Sequence, residues 1–124
     1  MRVLVADDQV GVRSAMRFLL EHEPYVKCVV EAADAGELAD MAQNHCPDLV
    51  LIDWELPGFA PHNLLPMLQR TCSDVVIIAL SGRPEARQPA LDAGAHAFVS
   101  KGDPPERLLA VIRDVVANGG ESAK

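Results

Sequence analysis

Residues 48–58 read Asp-Leu-Val-Leu-Ile-Asp-Trp-Glu-Leu-Pro-Gly (DLVLIDWELPG). The apolar run Leu49–Ile52 has no polar residue on either face, the mark of a strand covered on both sides, yet it ends abruptly on Asp53. Glu55 follows, then Leu-Pro-Gly. The start of the chain repeats the event: in RVLVADDQ, residues 2–9, an apolar run ends on Asp7 and Asp8. If these strands share one sheet in the same direction, three carboxylates meet at one edge. Two like charges about 4 Å apart repel by about 4 kcal/mol at an effective dielectric near 20. Such a cluster predicts a cation bound among the acids.

Outward from these runs, short apolar segments alternate with helical periods. Val3–Ala6 is a strand, and Val12, Ala15, Met16, Leu19 and Leu20 follow the i, i+3, i+4 spacing of a helix face. Glu23-Pro24 ends that helix. Lys27–Ala32 reads as a second strand. Asp34 and Glu37 form a capping box before a helix that turns Leu38, Met41 and Ala42 inward, with Pro47 beyond its end. Leu64, Leu65 and Leu68 mark a third helix whose start Pro61 and Pro66 are expected to make irregular. Val75–Leu80 is the most apolar strand. Ala86–Ala93 is a weaker helix, expected to begin at Pro89 or to kink there. Ala97–Val99 is a short strand, and Leu108, Val111, Ile112, Val115 and Val116 line a last helix.

Five alternations of strand and helix predict an α/β fold, a five-stranded parallel sheet doubly wound with helices on both faces. Ligands in such sheets bind outside the carboxyl ends of the strands. That edge gathers Asp7, Asp8, Asp53, Ser81 and the pair Ser100-Lys101. Ordinary roles exist for each residue alone: Asp8 as a helix cap, Ser81 as a turn residue before Gly82, Lys101 as a solvated lysine. None of them explains the set. An all-oxygen group of acids suits Mg²⁺.

Composition narrows the function. The 124 residues make one ordinary domain, and 49% apolar residues supply a core without staples. A formal charge of −7 disfavours contact with nucleic acid or anionic lipid. No apolar run nears the roughly 20 residues of a membrane span, and the N-terminal run stops at Asp7, against a secretory signal. Cys28, Cys46 and Cys72 are odd in number and form no Cys-x-x-Cys pair, so neither zinc nor a disulfide frame is indicated. A reducing cytoplasm is the simplest compartment. His22, His45, His62 and His96 are scattered, without metal-ligand spacing.

VADDQ, LVLIDWELPG, ALSG, DAGAHAFVSK and the closing PPERLLAVI carry a family resemblance from Arg2 to about Asn118. The chain resembles the receiver domain of two-component response regulators, most of all the NarL/FixJ class. The resemblance implies a flavodoxin-like (βα)5 fold with strand order 2-1-3-4-5, a receiver over residues 1–118, and a tail or linker start over 119–124. It implies that Asp53 accepts a phosphoryl group from a sensor histidine kinase or phosphotransfer protein. Mg²⁺ would be held by Asp8 and Asp53 directly, by Asp7 through water, and by the backbone carbonyl of Glu55. Lys101 would pair with the carboxylate and then with a phosphoryl oxygen, and Ser81 with another. Glu55 and Arg83 fall where the family tunes how long the phosphoryl group lasts. Phe98 falls where it carries a switch aromatic, although a lone aromatic in a short strand is equally well plain core.

The resemblance further implies a signalling switch that catalyses its own aspartyl phosphorylation and dephosphorylation rather than a conventional enzyme. Its output would be transcriptional, through a helix-turn-helix domain absent from this chain, with a homodimer as one activated form. The chain is then either part of a longer protein or a stand-alone receiver. A degenerate receiver, binding partners without phosphorylation, is the alternative. A haloacid-dehalogenase-like phosphatase is a third, but it would need Asp-x-Asp near the first strand, where this chain has adjacent aspartates.

Overall fold

The computed structural model describes residues 1–118; the expected tail over 119–124 lies outside them. Five strands alternate with five helices: β1 (Arg2–Ala6), α1 (Val10–Glu21), β2 (Cys28–Ala32), α2 (Ala35–His45), β3 (Leu49–Asp53), α3 (Pro61–Thr71), β4 (Val76–Ser81), α4 (Arg87–Ala93), β5 (Ala97–Ser100) and α5 (Pro105–Ala117). The strands form one sheet in the order β2-β1-β3-β4-β5, every pair parallel. This is the doubly wound order expected. β1 and β3 lie side by side, with Val3 opposite Leu49 and Ala6 opposite Ile52. Their terminal acids therefore leave the sheet together.

Alternation along the strands divides the core between two faces. Leu4, Val50, Ile52, Ile77 and Phe98 pack on one face against Leu38, Leu65 and Leu68. Val3, Leu49, Leu51, Ile78 and Val99 pack on the other against Leu20, Leu108 and Ile112. β3 and β4 are buried at every residue, which is why their sequences show no polar alternation. α1 is less covered than its period implies. Only Leu20 of its face is buried, and Val10 and Phe18 are 66% and 69% exposed.

Helix ends follow local chemistry. Asp34 caps α2 by accepting the Glu37 N–H at 2.8 Å. Glu37 answers by accepting from Ala33 at 2.7 Å, one residue before the cap. The cap of α1 is Gln9, which makes no side-chain cap bond, so Asp8 is not a capping residue. The prolines disturb less than expected. Pro61 is simply the first residue of α3, and the helix continues through Pro66, which has no N–H to give the carbonyl of His62. A 3₁₀ turn over Pro84–Ala86 leads into α4, which begins at Arg87 rather than at Pro89. Pro89 is the third residue of α4, where its N–H would have had no helical partner in any case. The expected late start is therefore corrected: α4 begins two residues before Pro89, which lies within its first turn.

His96 gives the fold a testable response to acid. It is half-buried before β5, its own N–H donates to the carbonyl of Ile77 at 2.8 Å, and its Nδ1 accepts the N–H of Ile77 at 3.0 Å. Burial holds its pKa below the ordinary value. The folded chain thus keeps the ring neutral where the unfolded chain takes a proton. That contribution is complete above the unfolded pKa near 6.5 and is lost as pH falls from there toward the folded value. The melting temperature should decline as pH falls below about 6.5, and His96→Asn, whose Oδ1 takes the place of Nδ1 as acceptor without titrating, should flatten this part of a pH–melting curve.

Candidate functional site

The carboxyl edge of the sheet places the expected residues in two adjoining groups. The first is Asp7, Asp8, Asp53 and Lys101. Asp7 leaves β1 buried, held by its own N–H to the carbonyl of Ala32 at 3.0 Å and by its Oδ1, which accepts the N–H of Gln9 at 2.9 Å. Asp53, 3% exposed, accepts the N–H of Glu55 on Oδ1 at 3.0 Å. Lys101 follows β5, its N–H bonded to the carbonyl of Ser81 at 2.9 Å. Its ammonium stands 2.7 Å from Oδ2 of Asp7 and 3.3 Å from Oδ1 of Asp53. Asp8 is exposed, yet it offers an oxygen that lies, with one each from Asp7 and Asp53, in a group within 4.8 Å of one another.

One ammonium among three carboxylates leaves excess negative charge. Burial raises the pKa of Asp53, and the charge of Asp7 adds to this, against the opposing Glu55 N–H and Lys101. For Lys101, burial works against the charged form, but the bond to Asp7 and the charges of Asp53 and Asp7 outweigh it, so its pKa is raised. The donor set fits Mg²⁺: oxygens only, from converging acids with one side open at Asp8. Added Mg²⁺ should raise the melting temperature, because a ligand bound only to the folded state stabilises it by RT ln(1 + [L]/Kd), about 1.4 kcal/mol at roughly ten times Kd. Asp8→Ala should lose most of that gain in a thermal melt. An equal gain in both proteins would remove Asp8 from the ligand set.

The second group is Ser81, Glu55 and Arg83. Ser81 ends β4 fully buried. Its hydroxyl donates to the Glu55 carboxylate at 3.0 and 3.1 Å and accepts the N–H of Arg83 at 3.0 Å. The Arg83 guanidinium closes the triangle with Glu55 at 3.0 Å. The Glu55 side chain therefore rests on the hydroxyl that the sequence reading assigns to a phosphoryl oxygen. Phe98 is 4% exposed in the core, with the Arg87 guanidinium 5.3 Å above its ring. Trp54, half-buried beside Asp53, stacks edge-on against Phe59 with ring centres 4.9 Å apart.

Arg13 was missed by sequence reasoning. From α1 its Nη1 donates to the carbonyl of Asp7 at 2.6 Å, while its Nε pairs with Glu31 of β2 at 2.9 Å. Nothing in the helical period marks it, because the contact depends on how α1 crosses the sheet.

The model of the response regulator receiver domain matches residues 3–113. The chain belongs to the response regulator receiver family. As a receiver it is 33% identical over 115 residues to the response regulator UvrY of Escherichia coli K12, covering 91% of this chain and 53% of that protein. It is 31% identical over 119 residues to the phosphate regulon transcriptional regulatory protein PhoB of the same organism, covering 93% and 51%. The chain thus spans about half the length of the curated relatives it matches. Among solved structures, a LuxR-family response regulator from Aurantimonas sp. SI85-9A1 superposes with TM-score 0.83 at 30% identity, over 94% of this chain and 85% of that one. A CheY-like receiver from Methanospirillum hungatei JF-1 gives 0.82 at 29%, over 95% and 94%. The NarL receiver of Mycobacterium tuberculosis gives 0.78 at 25%, over 91% and 93%. These likenesses place the receiver in the LuxR/NarL group of response regulators expected from its sequence.

Proposed function

We propose that this receiver takes a phosphoryl group onto Asp53 from a sensor histidine kinase or phosphotransfer protein, using Mg²⁺, and passes the change to a protein-binding face. The observation that carries the proposal is the Lys101 ammonium between Asp7 and Asp53, with an Asp8 oxygen within the same cluster. Phosphoryl transfer asks mainly for positioning and for charge stabilisation at the equatorial oxygens. Oδ1 of Asp53 is engaged by Glu55 and Lys101, which leaves Oδ2 as the nucleophile. Oδ2 bonds to phosphorus as the bond from phosphorus to the donor's imidazole nitrogen breaks, and that nitrogen keeps the electron pair. Asp8, Asp53, the carbonyl of Glu55 and, through water, Asp7 would hold Mg²⁺, which supplies positive charge for the phosphoryl oxygens. Lys101, already against Oδ1 of Asp53, would support the same charge.

Ser81 is the proposed link from chemistry to signal. Its hydroxyl must leave the Glu55 carboxylate to donate to a phosphoryl oxygen, and the like charge of Glu55 drives the two acids apart. Phe98 lies on neighbouring β5, where Ala79 of β4 is its partner across the ladder. Space vacated by Ser81 would let Phe98 move, altering the face built by α4, β5 and α5, where a partner or second copy could read the state. Glu55 and Arg83, joined over Ser81, are placed to govern how readily water removes the phosphoryl group. No helix among the described residues is long and apolar enough to cross a membrane, and a cytoplasmic regulator of transcription, acting through a further domain, fits this reading.

Beryllofluoride, a phosphoryl mimic, tests the link. Ser81→Ala should still bind it with Mg²⁺, but the amide shifts around Phe98 should shrink relative to wild type. Identical shifts in both proteins would exclude Ser81 as the connection, and an unmoved Phe98 region in wild type would leave that ring as core.

A further inference from the structure

Two thiols face one another at the end of the domain away from the acids. Cys46 caps α2 and Cys72 caps α3, and their sulfurs are 2.7 Å apart. Each also points at the end of the other's helix: Cys46 Sγ lies 3.5 Å from the carbonyl of Thr71, and Cys72 Sγ lies 3.4 Å from that of Ala42. A second feature sets Cys46 apart. Its φ of 42° is the only positive value at a non-glycine residue among those described. Helices commonly end on a left-handed residue, but glycine or asparagine usually takes the position. Here a residue with a thiol does, and the thiol meets its counterpart across the seam.

We propose that Cys46 and Cys72 form a reversible disulfide that clamps the ends of α2 and α3. The two differ in the way a two-step exchange requires. Cys46 is exposed and open to an oxidant, whereas Cys72 is buried and reached through Cys46. With a small-molecule disulfide such as oxidised glutathione, the Cys46 thiolate attacks one sulfur, the donor's S–S bond breaks, and one glutathione thiolate leaves. Cys72 then releases its proton to solvent and attacks the Cys46 sulfur, expelling the second glutathione. Two protein thiols are oxidised by two electrons, and one small disulfide becomes two thiols. Burial, then the bond to Cys46 and its charge, push the Cys72 thiol up to about 12.

The clamp closes a loop between residues 26 apart in sequence, containing β3, Asp53 and α3. It lies at the amino end of β3, roughly 15 Å along the strand from Asp53 at about 3.3 Å per residue. It should therefore restrict unfolding without changing the phosphoacceptor end. A cross-link of this span lowers the entropy of the unfolded chain, and a melting temperature higher by about 5–10 °C is expected.

The test is oxidation of the folded protein with oxidised glutathione, followed by blocking of remaining thiols, intact mass and peptide mapping. The expected result is a Cys46–Cys72 peptide, reversed by dithiothreitol, with the rise in melting temperature and with phosphate uptake from acetyl phosphate within twofold of the reduced protein. Cys28→Ser should behave as wild type. Cys72→Ser should stop at one glutathione on Cys46, and Cys46→Ser should show neither link nor rise. Glutathione retained on wild-type Cys46 with Cys72 free, a bond through Cys28, or a linked pair without the rise would overturn the clamp.

Discussion

Asp53→Asn is expected to take up no phosphate from acetyl phosphate and, without Mg²⁺, to melt a few degrees above wild type. The amide keeps the shape of the side chain but has no anionic oxygen to attack phosphorus, so uptake should fall below about 1% of wild type. The second effect has an electrostatic cause. Burial and the neighbouring Asp7 charge raise the pKa of Asp53, so the folded state resists a charge that the unfolded chain carries freely. For an acid with a raised folded pKa, stability increases as pH falls through that value. A neutral isostere captures that gain at neutral pH. Because the amide is also a poorer metal ligand, its melting temperature should gain less from Mg²⁺. Intact mass after phosphodonor treatment and paired melts with and without Mg²⁺ read both effects.

Lys101→Ala should act in the opposite direction on the metal-free fold. Asp7 is 1% exposed and Asp53 3%, and Lys101 is the cation that both meet. Removing one partner of a buried pair costs about 3–5 kcal/mol. The lysine side chain is 25% exposed, so solvent screening reduces the cost to about 2 kcal/mol, a drop of roughly 6–10 °C for a domain of this size. Mg²⁺ should restore more of the melting temperature in the variant than it adds to wild type, since it supplies the missing positive charge. Phosphate uptake should nonetheless remain at least about tenfold slower, because a preorganised donor to the phosphoryl oxygens is gone. Loss of uptake with an unchanged metal-free melt would mean that Lys101 serves chemistry alone and leaves the acids unpaired in the resting fold.

The sheet was legible because β3 and β4 are covered on both faces. Their runs Leu49–Ile52 and Val76–Leu80 are uninterrupted, and the acid or hydroxyl that ends each run marks its carboxyl end. Parallel alternation then brings those ends together, so the grouping of Asp7, Asp8, Asp53 and Lys101 is legible in the sequence alone. The helices were less legible. Pro89 reads as a breaker in isolation, but the 3₁₀ turn over Pro84–Ala86 moves the helix start to Arg87 and makes the proline harmless. The period of α1 predicts a buried face, yet of Val12, Ala15, Met16, Leu19 and Leu20 only Leu20 is buried and Ala15 is exposed, since period reports direction and not how much lies opposite.

Within the site, long-range contacts were invisible. The Glu55 carboxylate on the Ser81 hydroxyl joins residues 26 apart, and Arg13 pairs with Glu31, 18 residues on, only because α1 and β2 meet in the fold. The pairing of Cys46 with Cys72 was hidden for the same reason: their spacing fits no motif, and the two helix ends meet only in the folded chain.

The most direct measurement locates the phosphoryl group. Wild-type protein treated with acetyl phosphate and Mg²⁺, then reduced with borohydride and digested, should contain homoserine at residue 53, because borohydride reduces an acyl phosphate to the alcohol. No other aspartate should change, and omission of Mg²⁺ should remove the product. Homoserine at Asp7 or Asp8, or an unchanged Asp53 in protein that has gained the mass of a phosphate, would contradict the assignment of Asp53 as the phosphoacceptor.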